Sequence, residues 1–316
     1  MYTSFYIGYT LTSIGLHSID LQIQSTFSDG KHTPRELVKM AKERGLAVIS
    51  ITDHDTTDGV PEALLAGGEY GVRVIPGIEM SVEEHGAHIL GYGIDCRDKA
   101  LRTELENAKH SRLGGAKKMV ELLKKNEGFA VEWEDVLRAA SGSSVVARPH
   151  IVRAIMARPE NKEKLDGITM HDFFEKYFAE NGPNYVHRAH IVAKDAIALL
   201  HGAGGVAVWS HPAVHFPKNY EGLENFLKEL VAWSIEGIEA FNHSHTEDDT
   251  EFLYGLANKY GMIITAGSDF HEVGQHHRSP EGLHSAENVG DYETYSFPIG
   301  DIVVKLDAAV EQQRGR

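Results

Sequence analysis

The chain has 316 residues, 42% of them apolar and 24% charged, enough for one large domain with an insertion or for two domains. Its 31 basic and 46 acidic residues leave a formal charge of −15, which disfavours binding along a nucleic-acid duplex but allows a small or short phosphate-bearing substrate. The one cysteine, Cys96, excludes an internal disulfide, and no apolar run reaches the length of a membrane span.

Residues 1–18 are fairly apolar but lack the basic start and small-residue cleavage site of a secretion signal. They read as an N-terminal extension of a cytoplasmic protein. DLQIQSTFSDG (20–30) reads as a strand entering a turn, with Gln22 and Gln24 on one side of it. TPRELVKMAKERG follows as a helix, with Thr33 as N-cap, Pro34 at its first position, Glu36 closing a capping box and Gly45 past its end. Buried strands are expected at GLAVISIT (45–52), VRVIPGIE (72–79) and AHILGYG (87–93).

From about 100 to 190 the rhythm changes. ALRTELENAKHSRLGGAKKMVELLKKNEG is helical and charged, SGSS (141–144) marks a loop, and RPHIVRAIM opens another helix. This block reads as an inserted helical subdomain and as the most basic segment of an acidic chain. AKDAIALLHGAGG (193–205) and TEFLYGLANKYG (250–261) are helices among strands at GVAVWS (205–210), GIEAF (237–241) and MIITAGS (262–268). The GAGG is a helix stop, since no Lys-Ser or Lys-Thr follows to make a phosphate loop. The alternation implies an α/β fold with a parallel sheet or barrel, formed by 19–99 and 191–275, while 276–316 is a C-terminal segment without a clear pattern.

The residues at the strand ends carry the chemistry. VISIT leads to Asp53-His54-Asp55, VIPGI to Glu79, VAVWS to His211-Pro212 and IITAGS to Asp269-Phe270-His271, and the strand near 88 carries His88. One such residue alone is ordinarily a hydrogen-bonded loop residue. A succession of them needs another reason, because the C-terminal strand ends of a parallel barrel converge on one face. Mixed imidazole and carboxylate donors suit Mn²⁺, Fe²⁺ or Zn²⁺, so a multinuclear metal site is expected there.

DLQIQSTFSDG, ITDHDTTDG, VIPGIEMS, HILGYG, SHP and GSDFH, in that order from about residue 19 to 272, resemble the motifs of the PHP (polymerase and histidinol phosphatase) family of metal-dependent phosphoesterases. RPHIVRAIM, HDFFEKYFAENGPNYV and AIALLHGAGGVAVWSHP are similar to the branch holding nucleoside 3′,5′-bisphosphate phosphatases and a 5′-to-3′ exonuclease that trims RNA ends. The resemblance implies a distorted, TIM-like (β/α)7 barrel with a helical insertion over its active face. It implies that Asp29, His54 and His271 hold one ion and Glu79, His88 and His211 another, with Glu79 bridging to a neighbouring ion. Asp269 would belong to a third position, where the family has His-x-His and this chain has Gln22-Ile23-Gln24. Three readings follow: two ions with the third lost, a weakly held oxygen-preferring third ion on the glutamine carbonyls, or binding of metal or nucleotide without turnover. The cofactors implied are two or three divalent ions, Mn²⁺ first, with Fe²⁺, Zn²⁺ or Mg²⁺ as alternatives.

The activity so implied is hydrolysis of a phosphate ester by metal-activated water, on a nucleoside 3′,5′-bisphosphate or a cyclic phosphate. The alternative is a 5′-to-3′ exonuclease on short single-stranded RNA or DNA ends. Arg148 and His150, at a helix start, suit a substrate phosphate. His245 in FNHSHTEDD, or its neighbour His243, is a candidate acid for the leaving oxygen. His187, Arg188 and His190 are candidates for the pocket rim, and His276, His277 and Arg278 read as exposed loop. No membrane association and no obligate protein partner are expected.

Overall fold

The computed structural model describes residues 18–140, 146, 148–179, 182–186, 190–273 and 286–316. Seven strands succeed one another in sequence and in space: β1 (Ile19–Ile23), β2 (Val48–Ile51), β3 (Arg73–Ser81), β4 (His88–Tyr92), β5 (Val206–Trp209), β6 (Gly237–Asn242) and β7 (Ile263–Gly267). After β7 the chain returns to β1: the Gln24 N–H donates to the Phe270 carbonyl and the Asp269 N–H to the Gln22 carbonyl, both at 2.9 Å. That approach requires Gly267, where a Cβ would lie 2.4 Å from the Cβ of Gln22. Asp20 secures the same seam, accepting from the N–H and hydroxyl of Ser268 (2.9 and 2.6 Å) and the N–H of Gly290 (2.7 Å). Burial lifts its pKa to about 6 in spite of those bonds. The chain thus forms the distorted (β/α)7 barrel.

One strand departs from the parallel expectation. β4 runs against both neighbours, Ser81 pairing with His88 and Tyr92 with Val206. Residues 82–87, which join β3 to β4, are too few for the helical crossover that a parallel pair needs. His88 therefore opens its strand rather than ending it, and still reaches the rim formed by the C-terminal ends of the other strands.

Helices α1 (Pro34–Glu43) and α2 (Val60–Tyr70) cover the first strands; α3 (Lys99–Glu127), α4 (Trp133–Ala139), α5 (Arg148–Met156) and α6 (Met170–Tyr177) interrupt the barrel after β4. Then come α7 (Ala193–Gly202), α8 (Pro212–His215), α9 (Tyr220–Ala232), α10 (Glu247–Tyr260) and α11 (Ile302–Arg314). α1 starts as its capping box dictates, at Thr33 with Glu36. α10 starts before the expected Thr250, because Thr246 and Asp249 form a capping box of their own. The C-terminal segment, unpatterned in sequence, ends in α11, which sends Ile302, Val303 and Leu306 into the main barrel core.

The inserted helices have a separate core. Met119, Val120 and Leu123 of α3 pack with Ile151, Val152 and Ile155 of α5 and Phe173 and Tyr177 of α6. The first half of α3 instead gives Leu101 and Leu105 to the barrel core. Between the halves, Arg112 pairs with Asp55, just past the end of β2. Among the described residues no helix is long and apolar enough to cross a membrane.

Candidate metal centre

The first turn after β1 is shaped by Asp53. Its buried carboxylate accepts from the Ser25 N–H (2.6 Å), the Ser25 hydroxyl (2.7 Å) and the Ser28 hydroxyl (2.7 Å). A Cβ at Gly30 would meet the Gln24 carbonyl at 2.2 Å, so only glycine lets the loop turn back and present Asp29. Asp29 then lies 3.4 Å from His271 Nε2 and 4.0 Å from His54 Nε2. His211 and Asp269 follow their strands with φ of 27° and 53°, left-handed backbone that turns the chain sharply at the rim.

Glu79, fully buried on β3, is the hub. Its Oε1 faces His88 Nδ1 (2.9 Å), Ser210 Oγ (3.0 Å) and His211 Nε2 (3.1 Å). Its Oε2 faces Gln24 Nε2 (2.6 Å), Gln22 Nε2 (3.1 Å) and His54 Nδ1 (3.7 Å). Among the described residues, three groups of side chains bring ligand atoms within 4.8 Å of one another: Asp29, His54 and His271; His54, Glu79 and His88; and His88, His211 and His215.

The glutamines do not present their oxygens to the centre. The Ser244 N–H donates to Asn242 Oδ1 (2.9 Å), which fixes that amide; its Nδ2 then donates to Gln22 Oε1 (3.1 Å). Gln22 Nε2 is thereby turned to Glu79 and to Ser210 Oγ at 3.0 Å. Gln24 is turned the same way, its Nε2 donating to Glu79 and its Oε1 lying 3.1 Å from the Ser28 Oγ that donates to Asp53. Amide hydrogens, not lone pairs, thus point at Glu79.

The charges sort around this arrangement. Burial opposes ionisation of Glu79, but His54 and His88 beside it, with hydrogen bonds from His211 and His88, hold it well below the usual carboxylate range. Crowding likewise opposes the charge on Asp29, and His271 and His54 hold it ionised all the same. Burial works against the charge on His271, yet Asp29 and Asp269 push its pKa up to about 10. His54 is raised against burial by Glu79 and Asp29. The proton on His271 thus answers negative charge that a dication would answer in its place. Glu239, beneath the centre, is the opposite case: burial pushes its carboxyl well above the ordinary range, with Asp269 and Glu79 adding to the effect.

Two positions fit a divalent cation. Asp29, His54 and His271 offer one carboxylate and two imidazoles; Glu79, with His88 and His211 on its Oε1, offers the same donor types, and the Nδ1 atoms of His54 and His211 are buried without a hydrogen-bond partner. At Gln22 and Gln24 it is the amide N–H groups that face Glu79 Oε2. Asp269, expected there, keeps a buried Oδ1 without a hydrogen bond, 4.0 Å from His271 Nδ1.

His245 lies inside the barrel mouth, away from solvent. It is buried, its Nδ1 lies 3.1 Å from the Ala240 carbonyl, and burial lowers its pKa to about 4. His243, on the same turn, is half-buried. Arg148 is half-buried with its guanidinium 5.8 Å from the Tyr185 ring. His150 is buried; its charged form is opposed by burial, then by Arg153 and Lys31, and favoured by Asp29, which ties α5 electrically to the first turn of the barrel. His190 lines a cleft with Asp55, Ser81 and Arg112. His187, Arg188, His276, His277 and Arg278 lie outside the described residues. Sequence reasoning missed Ser210, Asn242 and His215. Ser210 and Asn242 carried only the signal of standing at strand ends, and His215 that of lying four residues beyond His211 on a helix.

A family model described as the PHP domain matches residues 20–180. The chain is 32% identical over 260 residues to a 3′,5′-nucleoside bisphosphate phosphatase of Chromobacterium violaceum, covering 82% of this chain and 88% of that one. It is 32% identical over 261 residues to the 5′-3′ exoribonuclease Rnm of Salmonella typhimurium, covering 80% and 85%. Among solved structures it is similar to an amidohydrolase from Chromobacterium violaceum with bound sulfate and no metal, at a TM-score of 0.74 and 30% identity, over 92% of this chain and 96% of that one.

Proposed function

The chain belongs to the PHP family, and from that membership we propose that it is a metal-dependent phosphoric ester hydrolase acting on nucleotide phosphates of the 3′,5′-bisphosphate or cyclic type. The observation that carries the reading is Glu79, a fully buried carboxylate ringed by His54, His88 and His211, with Asp29 and His271 next to it. Asp29, His54 and His271 would hold one divalent ion and Glu79, His88 and His211 a second. The amide hydrogens on Glu79 Oε2 support a reading with two ions. When bound, such ions make water a competent nucleophile near neutral pH and offset charge on the phosphate oxygens.

The protein's own groups do the rest. Arg148 and Lys31 would bind and orient a substrate phosphate at the mouth, Arg148 through its planar fork. His150, held neutral by burial, would donate a hydrogen bond to it rather than a charge. His245 would act as a positioning group beneath His211, leaving His243 as the candidate acid on that turn. The test is turnover of a nucleoside 3′,5′-bisphosphate against release of nucleotides from a 5′-labelled oligoribonucleotide, each with added Mn²⁺. Faster hydrolysis of the bisphosphate supports the reading, and hydrolysis of neither overturns it in favour of a binding-only protein. A 5′-to-3′ exonuclease is the second reading, favoured by equal identity to the exoribonuclease Rnm and by the basic character of the insertion.

A further inference from the structure

We propose that His215 is a metal ligand, forming with His88 and His211 a three-imidazole position beside Glu79 that takes a divalent cation of the zinc type. The inference rests on the reading of this centre as a metal site and goes beyond it. One nitrogen from each of the three rings lies within 4.8 Å of the others. The ring centroids are 5.3 Å apart for His88 and His211, 5.6 Å for His88 and His215, and 5.0 Å for His211 and His215.

The backbone is built to bring them together. His211 takes left-handed φ and ψ of 27° and 59°, Pro212 then starts α8, and one helical turn returns His215 to the side of His211. His215 Nε2 and His211 Nδ1 are both buried without a hydrogen-bond partner, although buried ring nitrogens are normally satisfied. His245, which lies close by, has its Nδ1 on the Ala240 carbonyl, and its Nε2 is likewise buried without a hydrogen-bond partner.

Glu79 explains why a cation would sit on this side. Its Oε2 is taken by the two glutamine amides, while its Oε1 is turned to His88 and His211. Gln22 and Gln24 stand on one side of that carboxylate, and His215 stands with His88 and His211 on the other. Three imidazoles and one carboxylate make a four-donor, nitrogen-rich set of the kind zinc prefers, whereas Mn²⁺ favours a larger share of oxygen. Asp29, His54 and His271, poorer in nitrogen, are the position suited to Mn²⁺.

The test uses the full chain, stripped with chelator and reloaded with Zn²⁺, Mn²⁺ or Co²⁺. Elemental analysis, competition titration and the visible spectrum of bound Co²⁺ are the readouts, compared between the unaltered protein and His215→Ala. The unaltered protein is expected to take one Zn²⁺ in preference to Mn²⁺. His215→Ala should weaken that Zn²⁺ by about tenfold or more, and weaken the intense bands of four-coordinate Co²⁺. Mn²⁺ at Asp29, His54 and His271 should be unchanged. Zinc affinity and cobalt bands unaltered in His215→Ala, with a native far-ultraviolet spectrum, would overturn the inference and leave the metal centre standing. No uptake of any divalent ion by the unaltered protein would overturn both. Should His215→Ala not fold, His215→Phe, which keeps a ring but no donor, is read in the same way.

Discussion

Gln22 and Gln24 each donate an amide hydrogen to Glu79 Oε2, so their contribution should be greatest when the centre is stripped of metal. Gln24→Ala removes the shorter of the two bonds, 2.6 Å, from a carboxylate with no access to water. We expect a loss of about 1–3 kcal/mol in the chelated protein, measured by denaturant unfolding, and a smaller loss once metal neutralises Glu79. Changing Gln22 and Gln24 together to histidine replaces donors by lone pairs, and elemental analysis should then find one more bound ion per chain. An unchanged stoichiometry would count against ligand loss as the meaning of these residues. His271 sets the pH dependence. Its pKa is raised to about 10 in the folded, metal-free protein, so its share of stability is complete below its unfolded value near 6.5 and disappears as pH rises through 10. Stability of the chelated protein should therefore fall between pH 7 and 10, and His271→Ala should flatten that slope.

At the scale of the elements, α3 and the end of β2 are joined by Arg112 and Asp55, and Asp55 also accepts from the Ser81 N–H at 2.8 Å. Arg112→Ala breaks that link without touching a candidate ligand. It should raise KM several-fold while changing kcat less, and cost about 1–3 kcal/mol by thermal unfolding. Most elements were legible because each strand is an apolar run bounded by turn residues and each helix carries caps, as at Thr33 and Gly45. The apolar runs alone did not give the direction of β4, since side-chain alternation is the same read either way; the signal overlooked was the short link between the strands at 72–79 and 87–93, too short for a helical crossover. His54, Glu79, His211 and His271 stood out because they follow such runs. Ser210 and Asn242 did not, because their part depends on which amide of Gln22 faces them across the barrel.

For the molecule as a whole, charge is divided unevenly. Residues 100–190 hold 15 Lys and Arg against 13 Asp and Glu, leaving 16 against 33 in the rest of the chain. The barrel's surplus of acid is the background from which its cation sites draw, and the insertion offers a substrate phosphate the less repulsive side. Ions that bind the folded state alone must also stabilise it. A position held at one hundred times its dissociation constant adds about 2.7 kcal/mol, so Zn²⁺ or Mn²⁺ should raise the melting temperature of the chelated protein measurably. An unmoved melting temperature at millimolar metal would argue against a structural centre of this kind.

The reversed direction of β4 has a mechanical consequence. A helix that follows an ordinary strand of such a barrel leaves from the rim and descends, so it has no room to grow over the site. β4 delivers the chain to the opposite end, and α3 climbs from there, its 29 residues spanning about 44 Å. It passes the rim near Arg112, roughly 20 Å from its start, and the remainder stands clear as a mast for the inserted core. The height of that canopy is then a matter of helix length alone. Adding or removing one turn beyond Arg112 would raise or lower it by about 5 Å and leave every residue around Glu79 where it is.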